Sequence, residues 1–126
     1  MLIFRGQNLI KMKHLQLEEI KVGNYILYDG FKIKLDGSLL AQYIQNELPK
    51  KFYPIKLDAE FLDKTAFIKY SNSYEFWRNS AFGLELSKNG KWEVTYMGDY
   101  LGKQIEFIHQ LQNFYYEVAH EMLLVA

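Results

Sequence analysis

The Asn89-Gly90 step constrains this chain more than any other feature of its 126 residues. Before it, Phe82, Leu84 and Leu86 alternate with Gly83, Glu85 and Ser87. After it, Trp92, Val94 and Tyr96 alternate with Glu93 and Thr95. Alternation of period 2 on both sides of Asn-Gly specifies an antiparallel hairpin, because the pair readily takes the positive φ that tight hairpin turns demand. The residues after Tyr96 either extend this strand or form a loop, since Gly98 and Gly102 break the pattern.

Asp29-Gly30 marks a second hairpin between Val22–Tyr28 and Phe31–Leu35, two runs rich in β-branched and aromatic residues. Beyond it, Ser38 reads as the N-cap of a helix carrying Leu40, Tyr43, Ile44 and Leu48, stopped by Pro49. Lys50 to Leu57 reads as extended. Asp58 caps a short helix over Ala59 to Ala66, with Phe61 and Leu62 facing a sheet. Phe67 to Tyr70 reads as a strand and Ser71-Asn72-Ser73 as a polar turn. From Ile105 to Leu123 the residues Phe107, Leu111, Phe114, Val118 and Met122 recur on one face of a 3.6-residue helix. Ile108, Tyr115 and Ala119 widen that stripe, while His109, Gln112, Asn113 and His120 fall nearer the other side. The expectation is therefore an α+β fold: a single small domain over residues 12–126, with two antiparallel hairpins in a sheet, short helices, and a long C-terminal helix packed on it. Residues 1–11 read as an N-terminal arm.

Composition excludes several function classes. There is no cysteine, so thiolate zinc sites, disulfide scaffolds and cysteine nucleophiles are out. Fifteen basic side chains balance fifteen acidic ones, which does not suit a strongly cationic nucleic-acid binder. The charges are unevenly spread, with nine Lys/Arg against five Asp/Glu in residues 1–56 and the reverse bias after that. No run is long enough to span a membrane and no secretory signal pattern is visible, so a cytoplasmic location is expected. Phosphate-cradling glycine loops and serine-nucleophile elbows are absent. His109 and His120 share a helix face but stand about 16 Å apart, too far to ligate one metal. No catalytic residue, cofactor or metal site is expected, and the chain reads as a non-enzyme.

The remaining candidates are aromatic, at 17% of the chain. Tyr74, Phe76, Trp77 and Arg78, following Tyr70, form a dense group, and aromatics beside arginine are enriched at interface hot spots. The competing reading places them in the core. That aromatic group also suits stacking on unpaired bases. Lys50, Lys51 and Lys56 interleave with Phe52 and Tyr53 and suit phosphate backbones; the competing reading is a solvated extended segment.

Three segments carry a resemblance. IKVGNYILYDGFKIKL (20–35), PIKLDAEFLDKTAF (54–67) and IEFIHQLQNFYYEVAHEML (105–123) resemble, in order, the opening hairpin, middle segment and closing helix of small proteins of Bacteroidetes phages and prophages. The His109-Gln110-Leu111-Gln112-Asn113 string is the most specific part. Residues 1–11 have no counterpart, and the segment after Asp36 is longer than in those proteins. The resemblance implies a phage-type accessory protein in the cytoplasm of a bacterial host, one that binds a host protein. In its sharpest form this is an anti-CRISPR protein acting on a type VI RNA-targeting nuclease or its guide RNA loading. A small nucleic-acid-binding module, with RNA as a partner, is the alternative. A structural protein of the phage particle is a second one.

Overall fold

Asp29 and Gly30 both take positive φ, 51° and 82°, and close a two-residue turn between β1 (Tyr25–Tyr28) and β2 (Phe31–Lys34). The computed structural model describes residues 13–70, 76–87 and 89–126. The expected arm over residues 1–11 and the polar turn at 71–73 lie outside them. The described residues gather into two compact units, within Met1–Ile55 and within Lys56–Ala126. The class is α+β, with antiparallel sheets and a C-terminal helix.

In the first unit, β3 (Phe52–Tyr53) pairs with β1, giving the order β2-β1-β3. Leu15, Ile20, Ile26, Leu35 and Phe52 form a buried core, against which Leu39, Leu40, Tyr43 and Leu48 pack. The helix α1 (Gly37–Ile44) is capped by Asp36, whose Oδ1 accepts from the Leu39 amide at 2.8 Å; Ser38, the expected cap, lies inside it. The helix ends at Ile44, and Asn46 turns to φ 59°. Leu48 thus reaches the core from beyond the helix rather than on its face. Tyr43 ties the unit together. Its ring stacks on Phe52 at 4.0 Å and its hydroxyl donates to the Leu15 carbonyl at 2.8 Å, while the Leu15 amide donates to the Phe52 carbonyl. Burial pushes the Tyr43 hydroxyl above its ordinary pKa, and the Phe52 amide offsets part of that rise.

The second unit holds a five-stranded sheet in sequential order: β4 (Ile68–Lys69), β5 (Phe76–Asn79), β6 (Phe82–Leu86), β7 (Trp92–Tyr96) and β8 (Asp99–Ile105). The Asn-Gly hairpin forms between β6 and β7 with a longer connection than a two-residue turn. The Ser87 amide donates to the Lys91 carbonyl at 2.9 Å, so three residues lie between the closing pair, with Gly90 at φ 83°. That is the three-residue loop in which glycine supplies the left-handed residue. Met97 and Gly98, at φ 52° and 89°, make a further tight turn between Tyr96 and Asp99. The segment after Tyr96 therefore reverses into a new strand. The β7–β8 register slips between Glu93 and Thr95.

Asp58 caps α2 (Ala59–Leu62) by accepting from the Phe61 amide at 2.9 Å. This helix buries Phe61 and Leu62 but stops four residues short of the expected Ala66. The helix α3 (Ile108–Ala119) starts later than expected because Ile105 belongs to β8, where it pairs with Trp92. Gln110 Oε1 accepts from the Glu106 and Phe107 amides at 2.9 and 3.0 Å and so caps the helix start. His120 ends the helix at φ 59°. The buried stripe is Ile108, His109, Leu111, Gln112 and Tyr115. His109 and Gln112, assigned from the sequence to the outer side, are 2% and 8% exposed, whereas Met122 is exposed. Ile108, Leu111 and Tyr115 of the expected stripe are buried, and the buried face extends past them to His109 and Gln112. The helix packs on the sheet through Tyr115 and Phe114, whose rings lie 5.1 and 6.2 Å from Phe82.

The expected single sheet is corrected by these pairings. The two hairpins belong to separate sheets, because each acquires its own further strands: β3 beside β1, and β5 and β8 on either side of β6 and β7.

Candidate functional site

Trp77 pairs directly with Leu84 across β5 and β6, and both are buried, at 5% and 1% exposure. Successive residues of a strand point to opposite faces. Phe76 and Arg78 therefore face away from this core, and their pairing partners share that outer face: Ile68 opposite Arg78, Gly83 opposite Arg78, and Glu85 opposite Phe76. Tyr70 joins them, since its amide donates to the Phe76 carbonyl at 2.8 Å. The Tyr70 and Phe76 rings meet edge to face at 6.2 Å, and the Arg78 guanidinium lies 5.6 Å over the Tyr70 ring. Ile68 and Tyr70 remain 67% and 64% exposed.

Gly83 permits this arrangement. A Cβ there would run into Thr95 Oγ1 and stand 3.3 Å from the Phe76 ring. Phe76 can lie close across the sheet because nothing projects beneath it. Toward β8 the same face turns polar: Tyr100 donates to Glu85 Oε1 and Gln104 to Glu93 Oε1, both at 2.6 Å.

Of the predicted group Tyr74, Phe76, Trp77 and Arg78, the structure thus brings Phe76 and Arg78 together on an accessible face. Tyr74 lies outside the described residues. The premise that Trp77 is exposed is corrected: its side chain is core, because strand alternation turns it inward between Phe76 and Arg78. Sequence reasoning missed Ile68 as a member. Its signal was the short run Ile68-Lys69-Tyr70, which alternates in step with Phe76-Trp77-Arg78.

The second predicted group divides. Lys50, Lys51 and Tyr53 line one cavity of about 510 Å3 in the first unit, together with Leu27, Asp29, Gly30 and Pro49. Lys50 pairs with Asp29 at 3.7 Å, and Lys51 holds its ammonium 5.7 Å over the Tyr43 ring. Lys56 belongs to the second unit. There it bridges Phe107 through its backbone and lines a separate cavity of about 350 Å3 with Leu57, Asp58, Leu86 and Trp92.

His109 is buried and stacked on Phe107 at 6.1 Å, and His120 is exposed at the helix end. Among the described residues no three His, Asp or Glu side chains lie together as a metal ion would require. No described helix is long and apolar enough to cross a membrane. Compared with family models, curated proteins and solved structures, the chain matches none.

Proposed function

We propose that this chain is a non-catalytic, phage-type accessory protein that acts by binding a host protein through the outer face of the five-stranded sheet. The observation that carries the reading is the exposed Ile68–Tyr70 edge with Arg78 stacked on Tyr70. An arginine fork held against a rigid aromatic, beside an exposed aliphatic, is the composition from which interface hot spots are built. Phe76 lies behind this pair and fixes the Tyr70 ring edge to face. The phage context rests on the resemblance of the 20–35, 54–67 and 105–123 segments. Its sharpest form is inhibition of a type VI RNA-targeting nuclease or of its guide RNA loading.

The test is cleavage of a target RNA by such a nuclease in the presence of the protein, alongside pull-down from host lysate. Inhibition by the unaltered chain, lost in Tyr70→Ala and Arg78→Ala while both melt within a few degrees of the parent, is the expected result. A specific partner captured equally by the parent and both variants would remove the sheet face from the reading. A chain that inhibits no such nuclease would remove the anti-CRISPR form. Recovery of the protein in assembled phage particles would replace the accessory role with a structural one.

A further inference from the structure

We infer that the outer face of the three-stranded sheet in the first unit binds an unpaired nucleic-acid strand. This surface is distinct from the one proposed for the host protein, and its test stands or falls independently.

The pairing register defines the face. Leu27 lies opposite both Lys32 and Tyr53, and Tyr25 lies opposite Lys34. Directly paired residues project to the same side of a sheet. Ile26, Ile33 and Phe52 occupy the other side, where they meet the core. The outer side is thus Tyr25, Leu27 and Tyr53, all half-buried, bordered by the exposed Lys32 and Lys34. Leu27 and Tyr53 continue into the 510 Å3 cavity, whose rim carries Lys50.

Charge and shape select the ligand. Among the described residues Asp29 is the sole carboxylate lining the cavity, and Lys50 stands 3.7 Å from it. Lys32 and Lys34 flank the aromatic floor. Tyr25 and Tyr53 are diagonal neighbours across β1 and β3, roughly 7–8 Å apart at their backbones. They are close enough to receive neighbouring bases of one strand. Flat aromatic surfaces on a sheet with lysines at the border match a single strand, whose bases are free to stack while its phosphates meet ammonium groups. A duplex hides its base faces and gains only the electrostatic part.

Fluorescence anisotropy with a labelled 12-nucleotide uridine RNA tests this, with blunt duplex RNA and a polyglutamate peptide as competitors. The expected result is binding to the single strand, with weaker competition by duplex and peptide. Tyr53→Ala should weaken affinity by roughly 5- to 150-fold, the range for losing one stacked base, while Tyr53→Phe keeps it. Lys32→Gln/Lys34→Gln, at exposed positions that leave the core untouched, should lower the slope of log affinity against log salt by about 1.4. Equal competition by polyglutamate, or an unchanged salt slope in the double variant, would overturn the inference. So would absence of binding at low salt. Equal competition by duplex would overturn the unpaired-strand specificity.

Discussion

Replacing Trp77 by alanine separates a core role from an interface role. The side chain is 5% exposed and sits between Lys69 on β4 and Leu84 on β6. A buried aromatic removes roughly 150–250 Å2 from water, worth about 4–6 kcal/mol at about 25 cal/mol per Å2. Measured truncations of this kind cost about 3–5 kcal/mol once partial collapse of the cavity is allowed for. For a chain of this length that corresponds to a melting temperature lower by roughly 10–25 °C. Arg78→Ala, one residue along, removes a surface cation–π contact worth about 0.5–1 kcal/mol and should move the melt by a few degrees. Thermal unfolding followed by circular dichroism measures both. A Trp77→Ala melt within about 3 °C of the parent would refute the assignment of Trp77 to the core. It would also return Trp77 to the exposed aromatic group.

Gly83→Ala should destabilise by about 1–3 kcal/mol, because the added methyl meets Thr95 Oγ1 and the Phe76 ring; a denaturant midpoint at or above the parent's would contradict the close approach. Asp36→Ala should cost about 1 kcal/mol by removing the cap on the Leu39 amide, whereas Ser38→Ala should be near neutral; the reverse order in chemical unfolding would restore Ser38 as the cap. Tyr43 is held above its ordinary pKa, chiefly by burial. The unfolded chain therefore ionises this phenol first: its contribution to stability is complete below about pH 10 and is lost as pH rises through the folded value. Tyr43→Phe should accordingly show a shallower alkaline decline in melting temperature, and identical declines in the two proteins would show that Tyr43 is not the group responsible.

Both hairpins were legible because each joins a glycine turn to period-2 alternation. The helix limits were less so. Asp36 and Ser38 are both good caps by type, and only the backbone geometry at Leu39 chooses between them. The start of the C-terminal helix was misplaced because Ile105 and Phe107 fit helical spacing although they serve as strand and cap residues. Competition with pairing to Trp92 is a tertiary effect that no local pattern carries. Trp77 was obscured by the length of its strand: four residues give only two periods of alternation, too little to separate inward from outward. Lys32 and Lys34 were readable in principle, since they alternate with Phe31 and Ile33 along β2. The grouping of Lys50, Lys51 and Tyr53 without Lys56 was not, since Lys56 is drawn away by a backbone bridge to Phe107, 51 residues further along the chain.

Trp77 and Trp92 are the only two tryptophans in the chain, and both fall in the second unit. Tyr25, Tyr28, Tyr43 and Tyr53 are the aromatic chromophores with a hydroxyl in the first. Emission excited at the red edge of the absorption band, where tyrosine is silent, therefore watches one unit alone, while far-ultraviolet dichroism watches both. Coincident curves from the two probes mean one cooperative transition, and divergent curves mean two. The placement of two indoles thus makes the unaltered protein its own optical reporter of whether its halves fold as one.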